Sequence, residues 1–128
     1  MKKVFADQAP KAIGPYSHAI QSGNLIFCSG QTPLNPTSML IEGATATEQT
    51  TLVLTNLETV LKSAGSDRSH VLKTSVFLKN FADFEKMNKA YESFFGDHRP
   101  ARTTVEVSRL PKDALVEIEC VAEVIKNS

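Results

Sequence analysis

The stretch RTTVEVSRLPKDALVEIECVAEV, residues 102–124, shows the clearest alternation in the chain. Within Val116–Val124 apolar side chains occupy every second position, and three glutamates and Val121 fill the four positions between them. An alternation of period two predicts a strand with one buried face. Arg102–Ser108 alternates in the same way and predicts a second strand. The seven residues between the two strands, RLPKDAL, predict a loose hairpin.

Two helices are predicted upstream of this stretch. In Thr47–Ala64 the apolar residues recur at steps of three and four, which is the helical period. Thr47 is a suitable N-cap and Gly65 a suitable stop. A second helix is predicted at about Phe81–Phe95, where Met and aromatic residues form a stripe typical of a helix packed on a core.

Three further strands are predicted from shorter patterns. Ser17–Ser22 and Leu25–Cys28 flank a Gly-Asn pair, which is a hairpin signal. Residues 29–46 are rich in Gly, Pro, Asn, Ser and Thr and predict a long loop. Val71–Leu78 lies between the helices, and its alternation places Leu72 on the buried side. The predicted order of elements is therefore β-β-loop-α-β-α-β-β.

Length and element order together predict the fold class. A chain of 128 residues fits one domain, spanning 1–128. Two amphipathic helices and a set of half-buried strands can bury their apolar faces against one another in an α+β fold. The predicted architecture is a two-layer mixed β-sheet with both helices on one face.

Charge and composition narrow the range of partners and cofactors to be expected. Lys plus Arg and Asp plus Glu both number 14, so the basic excess typical of nucleic-acid binding is missing and such a partner is not expected. Cys28 and Cys120 are far apart in sequence and the three histidines are isolated, so we expect no metal and no cofactor. The pattern of apolar residues predicts neither a signal peptide nor a membrane-spanning segment. A cytoplasmic location is expected, with a mitochondrial one open if the chain is a processed form.

Two helices cover only one face of a sheet, and the other face has a mixed character. The pattern assigns to it Arg102, Glu106, Glu117, Glu119 and Glu123, with Phe77 and Val121. Such a face is either solvated, with ion pairs of little energetic value, or a subunit interface that encloses a polar site. An arginine holds a carboxylate with two hydrogen bonds, and a nearby glutamate can activate water. The pattern alone leaves both interpretations open.

Three stretches resemble one protein family. They are APKAIGPYSHAI (Ala9–Ile20), FCSGQTPLNP (Phe27–Pro36) and RPARTTVEVSRLPKDALVEIECVAEV (Arg99–Val124). Together they resemble the RidA family, also called YjgF/YER057c/UK114. The resemblance implies a chorismate-mutase-like fold that closes as a homotrimer, with sites in the clefts between subunits. It also implies hydrolysis of 2-imino (enamine) acids such as 2-iminopropanoate and 2-iminobutanoate to 2-keto acids and ammonia.

The same resemblance implies roles for individual residues. Arg102 would clamp the substrate carboxylate, and Glu117 would position the attacking water. The remaining substrate-binding residues implied by the motifs are Tyr16, Ser29, Gly30, Asn88 and Thr104. Thr104 stands where many relatives have a cysteine, so thiol chemistry is excluded there, and a role would depend mainly on its backbone groups.

Three other functions remain as alternatives. The same clefts could bind a small carboxylate as a sensor without turnover, and a holdase chaperone would leave no clear trace in the sequence. Relatives have also been labelled endoribonucleases or translation inhibitors. The balanced charge, and the lack of aromatic residues interleaved with basic ones, argue against this last function.

Overall fold

A computed structural model describes residues 1–126 of the chain. Its regular elements are six strands and two α-helices, with three single turns of 3-10 helix at Arg68–His70, Phe81–Asp83 and Pro111–Asp113. In chain order the elements are β1 (Lys2–Val4), β2 (Ala19–Ser22), β3 (Leu25–Gln31), α1 (Ala46–Ser63), β4 (Val71–Leu78), α2 (Phe84–Phe95), β5 (Ala101–Glu106) and β6 (Val116–Glu123). The predicted elements are all present, and β1 is an addition. Its three residues include two exposed lysines, too little for a recognisable pattern.

One six-stranded mixed sheet joins the strands in the order β1-β2-β3-β6-β4-β5. The predicted hairpin between the last two strands is wrong, because β4 lies between them. β5 pairs in parallel with β4 after the α2 crossover, whereas β6 pairs antiparallel with both β3 and β4. A central strand is buried on one face along its whole length, which accounts for the strict alternation in Val116–Val124.

Both helices lie on the same face of the sheet, which confirms the predicted two-layer α+β fold. α1 packs on β3 and β6, and α2 packs against α1. The core between the layers includes Ile26, Leu57, Met87 and Ile118, all of which are almost completely buried. No helix within residues 1–126 is long and apolar enough to cross a membrane.

Two local predictions need correction. A shift of register between Val71 and Lys73 turns Leu72 outward, so Val71 fills the core position that the alternation assigns to Leu72. The N-cap of α1 is Thr45 rather than Thr47, and its hydroxyl accepts a hydrogen bond from the Glu48 N–H at 3.2 Å. This cap satisfies an amide that the helix itself leaves without a partner. Gly65 follows the C-cap Ala64 with a φ of 82°, as its predicted role as a stop requires.

An ion pair fastens α1 to the segment before β4. Arg68 donates to both carboxylate oxygens of Glu58, at 2.6 and 2.8 Å, and to the carbonyl of Phe94 at 2.8 Å. The side chain of Glu58 is only 11% exposed, and its hydrogen bonds from Arg68 lower its pKa. The pair therefore stabilises the fold when Glu58 is ionised.

We expect Glu58→Gln to lower the free energy of unfolding by roughly 2 to 3 kcal/mol at neutral pH, because a charged hydrogen-bond partner of Arg68 is lost. Because the folded-state pKa of Glu58 is depressed, its contribution is present above the unfolded-state pKa and is lost as pH falls through the folded-state value. Urea unfolding at several pH values measures both effects. Asp113→Asn is the control, because its pair with Arg109 is exposed. An equal loss in both variants would contradict the prediction.

Candidate active site

The larger of two candidate cavities lies between the N-terminal segment and the strands β3 and β6. Its volume is about 610 Å³. Four of the predicted site residues line it, namely Tyr16, Ser29, Gly30 and Glu117. Residues that sequence reasoning did not assign to a site complete the wall, including Lys11, Ile13, Gln31, Thr32, Leu34 and Glu119. Several of these lie inside the stretches APKAIGPYSHAI and FCSGQTPLNP, so the motif positions pointed to the wall without singling them out.

Glu117 and Gly30 are in close contact at the floor of this cavity. A Cβ atom on residue 30 would lie 2.5 Å from Oε2 of Glu117, so any side chain there would displace the carboxylate from this position. The register between β3 and β6 shifts between Cys28 and Gln31, which places the backbone of Gly30 beside this side chain. Burial, reinforced by the neighbouring Glu119 carboxylate, raises the pKa of Glu117. A carboxyl group in this setting exchanges a proton closer to neutral pH than an exposed glutamate does.

Ser29 and Tyr16 are held by local hydrogen bonds. The Ser29 hydroxyl donates to the carbonyl of Ser17 at 2.7 Å. The hydroxyl of Tyr16 accepts from the Ile13 N–H at 3.3 Å, while the residue stays 45% exposed. Ser29 is therefore committed as a donor, and Tyr16 offers its ring and its hydroxyl proton to the cavity.

The smaller cavity, of about 320 Å³, holds Arg102 and Asn88. The guanidinium carbon of Arg102 lies 4.9 Å from the centre of the Tyr91 ring and 5.7 Å from that of Phe84. Among the described residues no carboxylate lies within ion-pair distance of Arg102. A guanidinium held against aromatic rings without an acidic partner is well suited to bind a carboxylate.

Tyr91 was predicted only as a core residue in the apolar stripe of the second helix. In the structure it also contacts Thr74 and Arg102. Its hydroxyl shares a hydrogen bond of 2.7 Å with Oγ1 of Thr74, which fixes the ring beneath Arg102. The spacing of three residues from Asn88 on α2 places both side chains toward the same cavity. The spacing between Asn88 and Tyr91 was the available sequence signal for a place of Tyr91 at this cavity. A tyrosine within an apolar stripe, however, is ordinarily interpreted as a core residue.

Asn88 and Thr104 each bury an oxygen that has no hydrogen-bond partner among the described residues, Oδ1 and Oγ1 respectively. Thr104 lies on β5 two residues after Arg102 and therefore on the same face of the sheet. It lines neither cavity. Buried polar atoms are normally satisfied, so both oxygens mark positions at which the described residues supply no partner.

Arg102 and Glu117 lie on opposite faces of the sheet, so the prediction that they share its outer face is wrong. Arg102 pairs with Thr74, whose side chain is buried on the helix side. Glu106 pairs in the same way with the buried Leu78. Glu117 pairs with Phe77, on the face away from the helices. Paired residues in a sheet project to the same side. Within one chain the predicted site residues therefore fall into two groups, one around Arg102 and one around Glu117, on opposite faces of the sheet.

The outer face of the sheet is both apolar and charged, as the sequence predicted. Phe27 is 47% exposed and Val105 is 41% exposed, and both lie on this face. Other members of the outer face are Leu25, Phe77, Glu119, Val121 and Glu123. Aromatic and aliphatic side chains this exposed on one surface are typical of an interaction surface.

The fold and the two groups define a small α+β protein with an arginine that has no acidic partner among the described residues at the helix side of its sheet and a partly buried carboxyl on the other side. The family model described as Endoribonuclease L-PSP matches residues 6–124. The chain therefore belongs to the YjgF/RidA family, as its motifs indicated.

Individual relatives cover nearly the whole chain. A RutC family protein of Pyrococcus horikoshii is 49% identical over 95% of this chain and 98% of its own. The crystal structure of the YjgF gene product of E. coli is 40% identical, with a TM-score of 0.91 over 96% of this chain and 98% of its own. The structure of E. coli TdcF with bound serine is 36% identical, with a TM-score of 0.91 over the same shares of the two chains.

Proposed function

We propose that this protein hydrolyses reactive 2-imino acids, such as 2-iminopropanoate and 2-iminobutanoate, to 2-keto acids and ammonia. We propose further that it works as a homotrimer whose sites lie between subunits. The observation that carries both statements is the separation, within one chain, of Arg102, which has no acidic partner among the described residues, from Glu117, a half-buried carboxyl on the opposite face of the sheet. Each group is half of a hydrolytic site for a small carboxylate.

Association of subunits is the arrangement that unites the two groups. Arg102 lies on β5, which is an edge strand, and the outer face beside Glu117 exposes Phe27 and Val105. Burying that face against the edge of a second copy removes apolar surface from water and brings one chain's Arg102 toward the other chain's Glu117. We propose that association also gives hydrogen-bond partners to the buried oxygens of Asn88 and Thr104, which have none among the described residues.

The residue types suit the reaction. Arg102 holds the substrate carboxylate in a bidentate pair and thereby orients the C=N carbon. Solvent protonates the imine nitrogen of the bound substrate, and Glu117 accepts a proton from the water that attacks the iminium carbon, which gives the neutral tetrahedral carbinolamine. Glu117 then returns its proton to the nitrogen, and the carbinolamine collapses to ammonia and the 2-keto acid as its hydroxyl proton is released to solvent. No bond to the protein forms, and no cofactor is needed.

Two further observations bear on the choice of function. The relative TdcF holds serine, which has the α-carboxylate and α-nitrogen of an imino acid, and this supports a site for such compounds here.

The family description names an endoribonuclease. Three glutamates on the outer face, Glu117, Glu119 and Glu123, would repel phosphates, and a net charge of zero provides no overall attraction for them, so we do not propose that activity. A carboxylate sensor without turnover is the second candidate, because Arg102 would serve it equally.

The direct test generates the imine in the cuvette with a threonine or serine dehydratase and follows the appearance of the keto acid. We expect faster release in the presence of this protein than in its absence. Unchanged release in the presence of folded protein would exclude the deaminase and leave the sensor.

We expect two inactive variants, Arg102→Ala and Glu117→Gln, to restore each other when they are co-expressed. If each site takes its arginine from one subunit and its glutamate from the next, random mixing leaves about one quarter of the sites intact. Activity per subunit should therefore approach about one quarter of the wild-type value. Native mass spectrometry would verify that mixed trimers form. Mixed trimers without activity would show that both residues must come from one chain.

A further inference from the structure

The outer wall of the larger cavity is an irregular segment between β1 and β2. Residues 11–16 contribute Lys11, Ile13 and Tyr16 to the cavity, and the latter two are 62% and 45% exposed. Exposed residues without regular structure need tertiary contacts to hold one position. The hydrogen bonds that the backbone N–H groups of Ile13 and Tyr16 donate, to the Tyr16 hydroxyl and to the carbonyl of Gly14, stay within the segment itself.

His18 ties this segment to the sheet. The residue is 4% exposed, and both of its ring nitrogens are used. Nδ1 accepts the Ala6 N–H at 2.8 Å, so the ring proton lies on Nε2, which donates to the carbonyl of Pro10, also at 2.8 Å. One side chain thus joins two points of the loop, and it needs an acceptor and a donor at opposite ends to do so.

The backbone at His18 is in turn joined to the strand that carries Gly30. The carbonyl of His18 accepts the Ser29 N–H at 3.0 Å, and the carbonyl of Ser17 accepts the Ser29 hydroxyl. Among the described residues, the His18 ring provides the hydrogen bonds that connect residues 6–10 to this junction. The wall of the cavity and its floor are therefore linked through one imidazole.

We infer that His18 is a positioning residue, which holds Ile13 and Tyr16 over the cavity that contains Glu117. The inference rests on the proposed function for the identity of the ligand. His18 does not line the cavity, and it bonds neither to Glu117 nor to Arg102. Its loss therefore affects the binding of substrate more than the chemical step.

The test compares His18→Ala with His18→Gln. Glutamine carries an amide oxygen and an amide nitrogen, so it can accept from Ala6 and donate to Pro10, whereas alanine can do neither. For His18→Ala we expect KM for the imino acid to rise about tenfold and kcat to change less than about threefold. We expect His18→Gln to stay within about threefold of the wild type in both constants. His70→Ala is the control, because within residues 1–126 the ring of His70 bonds only to Asp67 and Ser69.

Two readouts separate this inference from the proposed function. Calorimetric binding of pyruvate and hydrogen exchange of residues 6–16 both report on the wall without turnover. We expect His18→Ala to weaken pyruvate binding and to speed exchange of the Ala6 amide, and His18→Gln to restore both. If the wild type lacks deaminase activity, the proposed function fails while these measurements still decide the role of His18.

A folded His18→Ala with wild-type KM and wild-type exchange would overturn the inference. So would a His18→Gln variant as defective as His18→Ala, because the two hydrogen bonds would then not be the cause. Should His18→Ala fail to fold, His18→Asn replaces it. The shorter asparagine reaches one partner but not both, and an intermediate KM is expected.

Discussion

Replacing Arg102 with alanine is expected to lower kcat/KM for 2-imino acids by about a hundredfold or more while the protein stays folded and assembled. The guanidinium is the one group in its cavity that offers paired donors without an acidic partner among the described residues. Without it, the carboxylate is no longer held and the C=N carbon is no longer oriented toward water. Keto-acid release in the dehydratase-coupled assay measures the effect.

Arg99→Ala is the matched control for Arg102→Ala. Arg99 lines the same cavity, but it is paired with Glu92 at 3.6 Å and donates to the carbonyl of Gly96. We expect its loss to change kcat/KM less than about threefold, since a committed, exposed ion pair contributes little. Arg102→Lys keeps the charge without the planar fork and should recover only part of the activity. Equal activity of Arg102→Ala and wild type would refute the carboxylate clamp.

Glu117→Gln is expected to lower kcat by about a hundredfold or more and to leave the affinity for pyruvate nearly unchanged. The amide has almost the same shape, so Gly30 still accommodates it, but it cannot accept a proton from water. The same variant separates the two candidate functions. Loss of turnover with binding retained identifies an enzyme. A sensor only binds its ligand, so Glu117→Gln would leave its function unchanged.

The pH dependence of kcat/KM tests the same carboxyl group. Because burial raises the pKa of Glu117, activity that needs its ionised form should fall at a higher pH than an ordinary glutamate would give. The nearby Glu119 carboxylate contributes to that rise, so Glu119→Gln should move the acid limb to lower pH without abolishing turnover. An acid limb that ignores Glu119→Gln would remove Glu117 as its source.

The local patterns of the sequence predicted most of the elements correctly. Periodicity over ten to twenty residues depends on the chain's own geometry, so α1, α2 and β6 were predicted within a few residues of their observed bounds. The alternation in β6 also placed Glu117 and Glu119 on the outer face, which the pairing with β4 confirms. The motifs added the family, and the match over residues 6–124 confirms it.

Side-chain directions beyond a single strand depended on neighbours that are distant in sequence. One shift of register was enough to exchange Leu72 for Val71 in the core. The neighbour of β5 could not be inferred either, because the α2 crossover brings it back beside β4, and the hairpin suggested by a short linker is not formed.

The sequence by itself determined which residue types are present for the chemistry, above all Arg102 and Glu117, since motif and alternation are properties of the chain. Only the tertiary structure decided that these two residues lie on opposite faces of the sheet. The face of a β-strand residue is set by the strand it pairs with, and pairing is a long-range contact. For the same reason, the contact of His18 with Ala6 and Pro10 emerged only in the folded chain.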